Sequence, residues 1–279
     1  MRLFLLTALT MVAFAANSVL NRAALAGDGI DAPGFGTIRL IAGAAILTLL
    51  VLILRRGIAL GGPGRVAGVL SLLVYIYGFS TAYLALDAGL GALILFGTVQ
   101  VTMFAGSLAG GERPPGRRWA GAALAFAGLA WLLWPGTGTT LSPLHGLAMV
   151  AAGIGWGAYS LTGRKARDPL MATAANFLLA APLGLLLAMA LPTPAEIVSL
   201  SATGLTLAIV SGALTSGLGY ALWYRVLPQL PGTVAAVAQL TVPVIAMAGG
   251  MLFLGEALTT QFVLASVAVL GGVALSVLK

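Results

Sequence analysis

The chain has 279 residues, 60% hydrophobic and only 8% charged, with a mean hydropathy of +1.06. So little polar surface cannot cover a water-soluble globule of this size, which excludes a soluble enzyme or binding module and predicts a membrane protein. The formal charge of +7 does not point to nucleic acid, because the basic residues lie in short clusters between apolar runs, and the absence of cysteine excludes disulfides and thiolate-held metals.

Ten apolar runs follow one another: 3–25, 33–54, 65–86, 88–109, 117–134, 144–163, 169–191, 201–226, 231–254 and 257–278. Crossing a bilayer core of about 30 Å takes about 20 helical residues, so the runs predict an all-α polytopic protein of ten transmembrane helices. Strands are not expected, since no run alternates polar and apolar residues. The abundant Gly and Ala suit close helix packing in lipid. Of the 13 prolines only Pro182 and Pro243 fall inside a run. The first run, with Met1, Arg2 and a small-residue site at 13–15, has the look of a secretory signal. Its internal counterpart, described next, argues that it is retained.

The chain repeats itself. Shifting 224–256 back by 141 places Tyr224 on Tyr83, Gly232 on Gly91, Gln239 on Thr98, Thr241 on Gln100 and Pro243 on Thr102. A shift of 144 places Gly255 and Glu256 on Gly111 and Glu112, and 270–274 on 126–130. Phe14, Ser18 and Arg22 return as Trp156, Ser160 and Arg164 at a shift of 142. Two halves are expected, 1–135 and 136–279, each with five spans. With the N-terminus in the cytoplasm, 12 of the 14 Lys and Arg residues fall inside and only Arg22 and Arg39 face outward. Because five is odd, the second half is expected to insert upside down relative to the first, a recurrent transporter plan in which the halves rock about a midplane site.

Gly219, Tyr220, Trp223, Tyr224, Gln239, Pro243, Gly255, Glu256, Gly271 and Gly272, with their weaker copy in the first half, resemble the EamA family of the drug/metabolite transporter superfamily. Within it the chain is similar to the YddG-type inner-membrane exporters of aromatic and other amino acids. The resemblance implies ten spans, both termini in the cytoplasm and a small-molecule substrate in a lipid bilayer. The family also spans purines, other metabolites and toxic cations, so a multidrug, cation or nucleoside exporter is the alternative.

Candidate binding residues are polar or aromatic side chains stranded in apolar runs, where an unpaired polar group is costly. Pro243, read near the middle of the ninth run, marks a hinge and frees the carbonyl of Gln239, which with the Gln239 side chain is suited to a substrate ammonium or hydroxyl. The alternative is a simple kink whose carbonyl Thr241 or a neighbouring helix satisfies. Thr98 and Gln100 are the repeat counterparts, for substrate or for interhelical hydrogen bonds. Tyr75, Trp156, Tyr159 and Tyr220 can line a cavity that stacks rings or receives a cation, together with Tyr77, Phe79 and Tyr83. Trp119, Trp134, Trp223 and Tyr224, near run ends, read as an interfacial belt. Asn17 and Ser216 are polar candidates that can equally join helices.

Arg39 lies about 9 Å along a helix starting at Pro33. It is a candidate gate or substrate-carboxylate partner, with outward snorkelling to Asp31 as the plainer reading. Glu112 and Glu256 precede helices whose N-termini a negative charge complements. His145 has no ligand partner at metal spacing and reads as interfacial. No cofactor is implied.

All seven acids map to run ends or connections, so no mid-depth carboxylate is available to carry a proton, and facilitated transport or exchange is the expectation. There is no Walker-type phosphate loop. One His and no Cys supply no catalytic constellation for an intramembrane enzyme. A ligand-binding receptor or structural subunit is the rival from another class. Nothing in the sequence sets the oligomeric state, and a monomer suffices.

Overall fold

The computed structural model describes residues 1–27, 29–111, 113–133, 142–163, 166–190, 200–230 and 238–277. Glu112, Trp134, Arg164 and the expected span ends at Leu191, Pro231 and Leu278 lie outside the described residues. The described chain is all helical, without strands. The helices are α1 (Arg2–Leu25), α2 (Ala32–Arg55), α3 (Arg65–Ala82), α4 (Ala88–Ala109), α5 (Gly116–Leu133), α6 (Pro143–Gly163), α7 (Pro169–Ala190), α8 (Ala202–Val226), α9 (Thr241–Leu254) and α10 (Thr260–Val277). Helices α1, α2, α3, α4, α7 and α8 are long and apolar enough to cross a membrane, while α9 and the stretch Thr260–Leu275 are shorter apolar helices. Among the described residues, six of the ten expected runs are thus helices of membrane-crossing length and hydropathy. The protein is a multi-pass membrane protein.

Local chemistry sets the ends. Asp31 caps α2 by accepting from the Gly34 amide (2.9 Å), with Pro33 in the first turn, and Ser201 caps α8 through the Gly204 amide (2.9 Å). Helix α3 stops at Ala82, four residues before the expected end, because the Leu84, Ala85 and Leu86 amides turn back onto the carbonyls of Thr81 and Ala82. Gly255 ends α9 at φ 68°, and the Glu256 amide reaches back to the Gly250 carbonyl (3.1 Å).

Two helices depart from uniform α geometry. Helix α8 widens into a π-helical segment over Ser211–Leu218, between the α-helical stretches Ala202–Val210 and Gly219–Val226. In the ninth run Ala238 and Gln239 are helical, Leu240 is a turn, and α9 begins at Thr241. Pro243 therefore occupies the third position of the helix that follows the turn, where its missing N–H leaves no intrahelical bond unmade. Thr241 Oγ1 bonds the Ala238 carbonyl (2.6 Å), not that of Gln239. Pro182 of α7 lies in a helix interior, beyond the first turn.

Helix α6 packs against both α3 and α4, α2 against α7 and α8, α1 against α8 and α9, α4 against α9, and α5 against α10. Glycines on opposite faces let α6 sit between its neighbours. A Cβ on Gly155 would lie 2.8 Å from the Ser71 carbonyl oxygen and Tyr75 amide nitrogen of α3, and Cβ atoms on Gly153 and Gly157 would press on Thr98 and Thr102 of α4. The polarity gradient is inverted relative to a soluble protein. Phe4, Leu252 and Phe253 are exposed, whereas Asn17, Asn21, Arg39, Ser80, Ser211 and Ser216 are buried. That is the arrangement lipid demands.

Candidate functional site

The interior centres on Arg39, which is 0% exposed. It does not snorkel to Asp31, whose carboxylate is engaged on the Gly34 amide. Its direction is set by the contact of α2 with the π segment of α8. A Cβ on Gly212 would collide with the Arg39 carbonyl, so the backbones touch there and the side chain runs along α8. Arg39 Nε donates to Ser216 Oγ (2.8 Å), and Nη2 donates to the phenol oxygens of Tyr75 (2.9 Å) and Tyr220 (3.1 Å). Its Cζ lies 5.1 Å from the ring centroids of both Tyr75 and Phe79. Nη1 is buried and has no partner among the described residues. No described carboxylate forms an ion pair with this guanidinium.

A polar chain continues from the phenols. Tyr220 donates to Tyr75 (3.1 Å), and Asn17 Nδ2 donates to the same oxygen (3.4 Å). Asn17 Oδ1 accepts from Ser211 (2.6 Å) and Thr215 (3.0 Å), Asn21 Nδ2 donates to the Asn17 carbonyl (2.8 Å), and Ser80 donates to Asn21 Oδ1 (3.3 Å). Four helices, α1, α2, α3 and α8, are joined through it. Trp156 of α6 closes the apolar side, its ring 4.9 Å from Tyr75, 4.7 Å from Tyr220 and 6.1 Å from Phe14. Between these rings, walled also by Asn17, Phe79, Leu95 and Phe96, lies a cavity of about 10 Å³. That is room for about one water.

Residues 145–278, from α6 through α10, match the EamA-like transporter family. The uncharacterized protein PA1977 of Pseudomonas aeruginosa is 48% identical over 275 residues, covering 98% of this chain and 94% of its own. The chain carries an EamA-like transporter family domain. A protein of known crystal structure superposes on this EamA chain with a TM-score of 0.69, covering 99% of this chain and 97% of its own. At 20% identity that likeness is one of fold. The family is one of membrane transporters, not enzymes, so a small-molecule substrate and a lipid surround are what the EamA fold serves.

Within the EamA chain, Asn17, Arg39, Tyr75, Trp156, Ser216 and Tyr220 come together. Tyr159 stacks on the outer side of Trp156 (5.6 Å) and donates to Thr173 (3.3 Å). Thr98 packs on Gly153, and its carbonyl accepts from Thr102 (2.8 Å), so it serves the α4–α6 contact. Gln100 and Gln239 are half-buried and, like Pro243, do not line the cavity. Trp223 is buried edge-on against Phe14 (5.9 Å), not held in an interfacial belt, whereas Trp119 is exposed beside Phe104. His145 bonds Ser142 at the start of α6. Sequence reading missed Asn21, Ser211 and Thr215. Asn17 with Asn21, and Ser211 with Thr215, share the spacing of four that puts polar groups on one face of an apolar helix.

Two sets of bonds between distant parts of the chain lie toward opposite ends of the helices that carry the cluster. At one end Arg22 donates to the Tyr83 (3.1 Å) and Leu84 (3.0 Å) carbonyls and lies 3.9 Å from Glu256 and 3.8 Å from Asp87. Glu256 Oε1 accepts from the Ala88 amide (2.7 Å) instead of serving α10, the helix that follows it. At the other end Arg55 pairs with Asp168 (2.6 Å), and Arg65 donates to the Ala172 carbonyl and Asn176 (both 2.6 Å). Burial pushes the Glu256 carboxyl up. For Asp168 burial acts the same way, but the bonds from Arg55 and the Met171 amide outweigh it and hold that carboxyl down.

Proposed function

We propose that this EamA protein exports neutral amino acids, aromatic ones included, and related small metabolites across the cell inner membrane by alternating access, as a facilitator or exchanger. The reading takes the chain as ten spans in two inverted halves, 1–135 and 136–279, with both termini cytoplasmic. Mirrored packing supports the repeat: α1 contacts α8 and α9 as α6 contacts α3 and α4, and α2–α7, α4–α9 and α5–α10 each pair a helix with its counterpart. The family match on 145–278, inside the second half, supports it as well.

The observation that carries the functional reading is the aromatic and polar cluster around Arg39. It is built from both halves, it is too tight to hold a metabolite as it stands, and it lies between two sets of cross-half bonds. A site closed toward both ends, whose latches are a few ion pairs and hydrogen bonds, is what alternating access requires between its open forms. A buried guanidinium with no described carboxylate beside it disfavours the toxic-cation alternative.

The test is flux in proteoliposomes, comparing labelled phenylalanine, tryptophan, threonine and methionine with a quaternary cation and a nucleoside. Saturable amino-acid flux lost in Trp156→Ala supports the reading. Flux of the cation or nucleoside alone replaces the substrate, and binding without movement supports a receptor.

A further inference from the structure

We infer that Arg39 is the anchor for a substrate carboxylate, and that the site selects aryl or alkyl carboxylates by this group without reading an ammonium. The inference rests on the transporter reading and narrows its substrate class. Every described acid is engaged elsewhere: Asp31 on the Gly34 amide, Asp87 and Glu256 around Arg22, and Asp168 on Arg55. Arg39 thus brings one full positive charge into the interior with three hydroxyl partners, two ring faces and no described anion. Its Nη1 is a buried donor left over.

A guanidinium prefers two parallel N–H bonds to one carboxylate. Nη1 is the free donor, and because both Nη2 hydrogens are held by Tyr75 and Tyr220, a carboxylate would bond Nη1 and displace one phenol from Nη2 to complete the pair. Arg39 itself does not line the cavity, but Tyr75 and Tyr220, whose phenols bond it, and Phe79, whose ring it faces, do, with Trp156 and Phe14 beside them. An apolar or aromatic substituent therefore has a matching surface one side chain away from the guanidinium. An ammonium finds no such partner. Asn17 Oδ1 already accepts two hydroxyl bonds, no described carboxylate is present, and the Arg39 charge repels a second cation. A monoanionic carboxylate neutralises the site, whereas a zwitterion brings an unmet charge with it.

The experiment ranks four probes of one shape: 3-phenylpropionate, phenylalanine, phenylalanine methyl ester and phenethylamine. Each is measured by quenching of tryptophan fluorescence in the detergent-purified protein and by flux of its labelled form in proteoliposomes. The expected result is that 3-phenylpropionate binds and moves at least as well as phenylalanine, while the ester and amine are weaker by about tenfold or more. Arg39→Gln abolishes this ranking, and Arg39→Lys retains part of it. The ester or amine equalling the acid overturns the inference, as does Arg39→Gln keeping the discrimination. If Arg39→Gln does not fold, the ranking on the unaltered protein decides alone. Movement of the amine or ester without the acids leaves a transporter and sinks the carboxylate anchor. Movement of 3-phenylpropionate without phenylalanine strikes the amino-acid reading and leaves the anchor. Chloride acting at the site where carboxylates do not would assign Arg39 to an inorganic ion and overturn it, as would failure of all four probes to bind.

Discussion

Glu256 accepts the amide hydrogen of Ala88, 168 residues away along the chain, and so ties the end of α9 to the first turn of α4. Its other oxygen, Oε2, is buried without a described partner, which makes the ionised form costly there. Because burial raises the carboxyl in the folded state, its contribution to stability is fully present below the ordinary glutamate value and fades as pH rises through the raised one. In thermal unfolding of the purified protein between about pH 5 and 8, Glu256→Gln should show a flatter profile than the parent, since an amide oxygen still accepts from Ala88. Glu256→Ala should cost about 1 kcal/mol by leaving that amide unmet.

The Arg55–Asp168 pair carries the opposite sign. Arg55 and the Met171 amide hold the Asp168 carboxyl down, so its stabilisation is present above the ordinary aspartate value and is lost as pH falls. Both partners are partly exposed, and Asp168→Asn should change stability by less than about 1 kcal/mol. Its larger effect should be on access. The chain contains no cysteine, so Thr162→Cys, in the pocket that Asp168 also lines, places a single thiol there. Maleimide should label that thiol faster with Asp168→Asn than without it. Equal rates would remove this pair from the closure of that end.

Tyr75 and Tyr220 share Arg39, so Tyr75→Phe and Tyr220→Phe should each cost roughly 1.5–3 kcal/mol in denaturant unfolding, the range for bonds to a charged group. The phenols also bond each other, so the double variant should fall short of the sum of the singles. Additivity would mean that they hold Arg39 independently.

Gly212→Ala drives a Cβ into the Arg39 carbonyl and should cost about 1–3 kcal/mol. Gly271→Ala, in α10, meets nothing within 4 Å and should be neutral or stabilising by about 0.5–1 kcal/mol through helix propensity. The contrast, read from paired melting curves, separates close helix approach from propensity.

Helix positions were legible because lipid forces apolar runs of fixed length, and α1, α2, α4 and α7 begin and end within a few residues of the runs that announced them. The depth of Arg39 was legible from its distance past Pro33, but its direction was not, since that depends on Gly212 and Ser216 of a helix 177 residues further along. Pro243 was legible as an interruption of the ninth run, since the turn at Leu240 falls where a proline at 243 leaves the Gln239 carbonyl without its helical partner. Trp223 misled because closeness to a run end says nothing about which face of the helix it occupies. Asn17, Tyr75, Trp156, Ser216 and Tyr220 could each be singled out as costly residues in lipid. That they meet at one point is a property of packing, carried by the glycines of α6 and α8.

The π segment of α8 has a mechanical consequence. A π turn stores a residue of slack relative to the α-helix, and an α-helix advances about 100° per residue. Ser211 stands at the start of that segment, whereas Tyr220 and Trp223 stand beyond it. Taking up one residue of slack would therefore spin the far end of α8 by about 100° while Ser211 keeps its grip on Asn17. Tyr220 would leave the guanidinium, and a wall of the cavity would swing away with it.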